Sequence, residues 1–115
     1  MPIRVLIADD RRIVLDGVKC LLENTAPDIK VVAEALDGDE VLSVALKTAV
    51  DVYVLDISMP GVDGIEVTRQ LRERCPTAKV VILSFYDSRQ MVLEAIAAGA
   101  LGYVTKDTGS RDLVE

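Results

Sequence analysis

Histidine and tryptophan are absent from this 115-residue chain, and its aromatic residues are three tyrosines and one phenylalanine. Without histidine, imidazole acid–base catalysis, the nucleophilic triads that depend on it and His-containing zinc sites are excluded. Cysteine is nearly absent too. Cys20 and Cys75 stand far apart within helix-like apolar patterns, which reads as two small buried hydrophobes in a reducing compartment rather than a disulfide or a thiolate metal site. Basic residues are in the minority, 13 against 19 acids, for a formal net charge of -6. Such a surface repels nucleic acid and anionic membranes, so this fragment is expected to make no direct contact with either. No run approaches the roughly 20 apolar residues of a membrane span. The chain enters a strand pattern at Ile3 without a signal peptide, and the expectation is a cytoplasmic protein.

What is present is hydrophobic residue, half of the chain. That suits one compact domain with its own core. Short apolar runs at Ile3 to Ala8, Val31 to Ala35, Val52 to Leu55, Val80 to Leu83 and Leu101 to Val104 are rich in β-branched residues and bounded by turn formers, so they predict five strands. The first, third and fourth are near-continuous Val, Ile and Leu, the pattern of strands covered on both faces in the interior of a parallel sheet. The second carries Glu34 and opens at Lys30, and the fifth carries Gly102; both read as edges.

Between strands the spacing becomes helical. Val14, Val18, Leu21 and Leu22 form one apolar face, and Val92, Ala95, Ile96 and Gly99 another, each predicted to lie on the sheet. Asp37 with Glu40, Asp63 with Glu66 and Asp87 with Gln90 have capping-box spacing, which assigns those three acids to helix starts rather than to chemistry. Strand alternating with helix gives an open, α/β, (βα)₅ sheet with right-handed crossovers. The last helix begins near Ser110 and reaches only Glu115, short of the ~10 to 14 residues usual for a helix. The expectation is a truncated helix and a longer natural chain carrying a second domain.

In an open parallel sheet all strands deliver their C-terminal ends to one rim, and ligands bind there. The first strand ends in Asp9-Asp10, the third in Asp56, the fourth in Ser84 and the fifth in Thr105-Lys106. Singly, each has an ordinary explanation as a cap, turn or solvated strand end. Together, three converging acids repel one another unless a cation neutralises them. With only oxygen donors on offer, that cation is expected to be Mg²⁺, for which Mn²⁺ could substitute. Lys106 adds a fixed positive charge and Ser84 a hydroxyl, the pairing that holds a phosphoryl group during in-line transfer. Asp56, at the end of the central strand, is the candidate nucleophile, leaving Asp9 and Asp10 to hold metal. After Asp56, Pro60 and the two glycines of Ile57-Ser58-Met59-Pro60-Gly61-Val62-Asp63-Gly64 specify a tight, preset loop; Ser58 in it is the candidate donor of a backbone carbonyl to the same ion, although an ordinary turn explains the composition almost as well.

These motifs resemble the receiver domain of two-component response regulators: the acidic pair after the first strand, Asp-Ile-Ser-Met-Pro-Gly-Val-Asp-Gly from Asp56, Leu-Ser at Ser84, and Gly-Tyr-Val-Thr-Lys ending at Lys106. The resemblance covers nearly the whole chain. It implies a CheY-like (flavodoxin-like) sheet of order 2-1-3-4-5 and phosphorylation of Asp56 by a sensor histidine kinase. Asp9, Asp10, Asp56 and the Ser58 carbonyl would hold Mg²⁺, with Ser84 and Lys106 on the phosphate. It implies a phosphoacceptor that assists its own phosphorylation and dephosphorylation without being a turnover enzyme. A switch at Ser84 and Tyr103 would then control dimerisation or an output domain; simple edge packing of Tyr103 is the alternative. Gly-Ala-Leu-Gly-Tyr-Val-Thr-Lys-Asp, with Asp107 after Lys106, is similar to the NarL/FixJ branch, whose members usually carry a C-terminal helix-turn-helix DNA-binding domain and control transcription.

Two departures from that pattern bear on access to the site. Arg11 stands where the branch often has histidine, and its charge is expected to weaken Mg²⁺ binding modestly. Phe85, followed by Tyr86, stands where many receivers have a small residue; it either shields the phosphoryl group or turns to solvent, and the aspartyl-phosphate lifetime of Phe85→Ala distinguishes the two. Rival readings are weaker. A haloacid-dehalogenase-like phosphatase would need a second acid where Ser58 stands, and a flavin module would want a phosphate-cradling glycine loop and more aromatic rings. A stand-alone or phosphate-independent receiver working through protein contact remains the alternative function.

Overall fold

The computed structural model describes residues 3–25, 27–57, 59, 61–84 and 89–105. Five strands alternate with four helices: β1 (Ile3–Ala8), α1 (Arg12–Thr25), β2 (Ile29–Ala35), α2 (Gly38–Lys47), β3 (Val52–Asp56), α3 (Gly64–Arg74), β4 (Lys79–Ser84), α4 (Arg89–Ala98) and β5 (Gly102–Thr105). The sheet order is β2-β1-β3-β4-β5 and each neighbouring pair is parallel. The expected fold is therefore present, with β2 and β5 at the edges. The expected fifth helix and the Asp87 cap lie outside the described residues. Among the described residues no helix is long and apolar enough to cross a membrane.

Alternation along each strand divides the core in two. Val5, Ile7, Val54 and Leu83 face α1, where Leu15 and Leu22 meet them. Leu6, Ala8, Tyr53, Leu55, Val80 and Ile82 face the other way, onto Val41 of α2, Ile65, Val67 and Leu71 of α3, and Ala95 and Ala98 of α4. Burial of apolar surface on both faces explains why the central strands are continuous Val, Ile and Leu.

Strand β2 changes face part-way along. Its register on β1 shifts after Val31, so that Val5 pairs with Val31 but Leu6 pairs with Ala33, leaving Val32 as an extra residue. Ile29 and Val31 consequently pack on the α1 side, whereas Ala33 and Ala35 pack on the other. The same bulge sets Glu34 opposite Ile7, on the α1 side, where it pairs with Arg12 at 3.5 Å.

The capping expectations hold for two helices. The Asp37 side chain accepts from the Glu40 N–H at 2.8 Å and the Asp63 side chain from the Glu66 N–H at 2.9 Å. Three packing expectations are corrected. Cys20 and Cys75 are both exposed: Cys20 points away from the Leu15 and Leu22 stripe, where the Asn24 amide reaches its sulfur at 3.1 Å, and Cys75 follows the last turn of α3 as its C-cap. In α4 the buried line runs through Ala95 and Ala98, leaving Ile96 49 % exposed. The small alanines allow close approach to the sheet, and this turns the helix away from the face that its larger residues suggest. In α1, Leu15 is fully buried while Val14 is only half-buried, so the inward face is rotated by about a residue.

Candidate functional site

The rim at the C-terminal ends of the strands is built from β1, β3 and β4. Strand β1 runs into Asp9, whose N–H donates to the Ala35 carbonyl at 3.1 Å and so extends the ladder one residue past the strand. Asp56 closes β3 beside Leu83 of β4, and Ser84 follows at the end of that strand. Asp9, Asp56 and Ser84 are all buried, whereas Asp10 is exposed. One carboxylate oxygen from each of Asp9, Asp10 and Asp56 can be chosen so that all lie within 4.8 Å of one another.

Backbone packing fixes Asp56. Beyond it, Ile57 and Met59 are buried in the core on the α2–α4 side, so the chain is held down on both sides of residue 58. Gly61 has φ +76, a conformation that a side chain would strain, and it turns the loop towards α3. Gly64, the first residue of α3, donates its N–H to the Ile57 carbonyl at 3.0 Å. A Cβ there would stand 2.2 Å from the Asp56 carbonyl oxygen. Only glycine lets the start of α3 come this close. Inside that turn the Thr68 hydroxyl, fully buried, donates to the Gly64 carbonyl at 2.7 Å.

Asp9 is held by its neighbour. Its Oδ1 accepts the Arg11 N–H at 2.9 Å and lies 3.4 Å from the Arg11 guanidinium Nε. Tyr103 of β5 is half-buried against the core on the α2–α4 side. The structure thus gathers Asp9, Asp10 and Asp56 and sets Arg11 on Asp9, with Ser84 on the adjoining strand end. Ser58, Phe85, Tyr86 and Lys106 lie outside the described residues. One contributor was not foreseen, the Arg11 side chain as a direct partner of Asp9; Gly64, expected as a loop glycine, is instead the first residue of α3 and packs on the Asp56 carbonyl.

Over residues 5–115 the sequence matches the response regulator receiver domain. The chain belongs to this family. The receiver is 38% identical over 113 residues to an uncharacterized transcriptional regulatory protein, YxjL, of Bacillus subtilis, covering 98% of this chain and 51% of the relative. It is 36% identical over 114 residues to the nitrate/nitrite response regulator protein NarL of Escherichia coli, covering 99% of this chain and 52% of that one. Among solved structures, a LuxR-family two-component response regulator from Aurantimonas superposes with TM-score 0.94 at 37% identity, covering 99% of this chain and 81% of the other. These similarities place the receiver in the NarL/FixJ branch. The chain spans about half the length of the curated relatives it matches. Its relatives are response regulators of two-component systems, not turnover enzymes, and the family's role is to be phosphorylated and thereby control an output domain.

Receiver domains generally depend on Mg²⁺, and the donor set here suits it. Three carboxylates, with no thiolate or imidazole among them, converge closely enough to share one ion. A hard, oxygen-seeking divalent cation matches that chemistry.

Proposed function

We propose that Asp56 accepts a phosphoryl group from a sensor histidine kinase and that this receiver thereby switches a transcriptional output domain. The observation that carries the reading is the convergence of Asp9, Asp10 and Asp56 on one rim, with Asp56 buried at the end of the central strand. A carboxylate oxygen of Asp56 attacks phosphorus, and the bond from phosphorus to the donor's leaving group breaks in line, the leaving group keeping the electron pair. An ionised carboxylate needs no general base for this step. Asp9, Asp10, Asp56 and the Ser58 carbonyl would hold Mg²⁺, with Mn²⁺ as substitute; when bound it supplies positive charge against the acids and the phosphoryl oxygens. Ser84 and Lys106 would complete the cradle, and Tyr103 would take part in the switch, with Phe85 and Tyr86 setting access. Dephosphorylation is a separate step: water attacks phosphorus, the bond to the Asp56 oxygen breaks with the carboxylate keeping the electron pair, inorganic phosphate leaves, and the same rim assists this hydrolysis.

Output follows from length. Relatives named as transcriptional regulatory proteins are about twice as long, which supports a C-terminal DNA-binding domain in the full-length protein, with homodimerisation on phosphorylation as the proposed form of the switch. Cytoplasmic location accords with a kinase partner of this kind. Incubation with a small acyl-phosphate donor and Mg²⁺ should add one phosphoryl group, read by intact mass, and Asp56→Asn should add none. An adduct retained in Asp56→Asn would overturn the assignment.

A further inference from the structure

Helix α1 opens with the wrong charges. Acids are favoured at a helix N-terminus, where the macrodipole is positive, yet the first turn of α1 has none and the helix is entered through Arg11 and Arg12. Each arginine meets an acid, Arg11 pairing with Asp9 at 3.4 Å and Arg12 with Glu34 at 3.5 Å. The two pairs differ in surroundings. Asp9 is 2% exposed and belongs to the acid cluster, while Glu34 is 26% exposed and does not.

We infer that the Arg11 guanidinium is a built-in counter-ion of the acid cluster, competing with divalent metal for Asp9 and setting the metal concentration at which the site fills. The inference rests on the metal site of the proposed function. Asp9 Oδ1 takes two bonds from the same residue, one from the main-chain N–H and one from the side chain. The main-chain bond orients the carboxylate and survives any side-chain change at position 11 other than proline. The guanidinium adds its charge through a longer contact at 3.4 Å, and it is 44% exposed, outside the buried core. A cation entering the cluster and Arg11 neutralise the same buried carboxylate, so each weakens the other's hold on it. This is narrower than long-range repulsion. It predicts that position 11 matters and position 12, one residue further and paired elsewhere, does not.

The test is a Mg²⁺ titration at fixed ionic strength, followed by amide shifts in ¹H–¹⁵N spectra of the wild-type chain and of Arg11→Ala, Arg11→Lys and Arg12→Ala. Arg11→Ala should bind Mg²⁺ about two- to fivefold more tightly, within the range for one partly exposed ion pair. Arg11→Lys should lie between it and the wild type, and Arg12→Ala should be unchanged. Thermal melts give a second reading. Arg11→Ala should melt below the wild type in chelator and recover in saturating Mg²⁺, whereas a merely structural loss would lower both melts equally. Equal tightening in Arg12→Ala, or an unchanged Kd in Arg11→Ala, overturns the counter-ion assignment alone. Absence of any Mg²⁺-dependent shift at the rim in the wild type overturns the metal site and the assignment with it.

Discussion

Asp51, at the opposite end of the sheet from the acid cluster, forms a reciprocal clamp with Arg4. Its carboxylate accepts the Arg4 N–H at 2.9 Å and faces the guanidinium at 3.3 Å, while its own N–H donates to the Arg4 carbonyl at 2.8 Å. The backbone hydrogen bond from Arg4, and then its side chain, hold the Asp51 carboxyl below the usual carboxylate range. A carboxylate with a depressed folded-state pKa contributes stability above its unfolded value, and this is lost as pH falls through the folded one. The clamp should therefore act at neutral pH and fade below about pH 4. Thermal melts of Asp51→Asn and wild type should differ at neutral pH and converge in acid; a constant difference would mean that the charge is irrelevant. Such residue-scale pairings were the least legible part of the sequence. Asp9, Asp56 and Ser84 could be named because each directly follows an apolar run, and Asp10 because it follows Asp9. The Arg4–Asp51 and Arg11–Asp9 pairs depend on strand register and side-chain rotamer, which periodicity does not carry. The cysteines were misplaced for related reasons: apolar neighbours in sequence do not say which side of α1 Cys20 occupies, nor that α3 ends at Arg74 and leaves Cys75 as its C-cap.

At the scale of elements, α3 is what presents Asp56. Its N-terminus is locked by the Asp63 cap, by the Gly64 to Ile57 bond and by the near-contact of Gly64 with the Asp56 carbonyl. Gly64→Ala forces that backbone apart, and a loss of about 2 to 3 kcal/mol is expected from overpacking of this kind, measured by urea denaturation. Phosphorylation should fall with it even where the variant remains folded, because the displaced atom belongs to the residue proposed as acceptor. If stability and phosphorylation were both unchanged, the close approach would have no role. Strands and helix starts were readable because their signals are local: β-branched runs bounded by turns, and an acid three residues before Glu. Helix rotation was not. In α4, Ile96 is larger and more apolar than the alanines that actually meet the sheet, and hydrophobicity alone cannot show that close approach favours the smaller side chains.

For the molecule as a whole, two cores share one sheet but are covered differently. Among the described residues three helices serve the larger core and α1 alone serves the smaller. Leu15 is the fully buried anchor of that side, and Leu15→Ala should cost about 2 to 5 kcal/mol in urea denaturation. Loss of cooperativity rather than of midpoint would indicate that the α1 face unfolds as a separate unit. The architecture itself was legible because alternation of strand and helix admits few arrangements, whereas the face change in β2 was invisible: one extra valine in an apolar run leaves no compositional trace. That bulge bears on the sheet's outer boundary. An edge strand offers unpaired N–H and C=O groups as a template for a neighbouring chain, and a bulge interrupts their regular spacing. With Val32 breaking the ladder and the exposed Lys30 before it, β2 is a poor seed for strand addition. The sheet is therefore protected from edge-to-edge aggregation on this side, even as the protein accumulates.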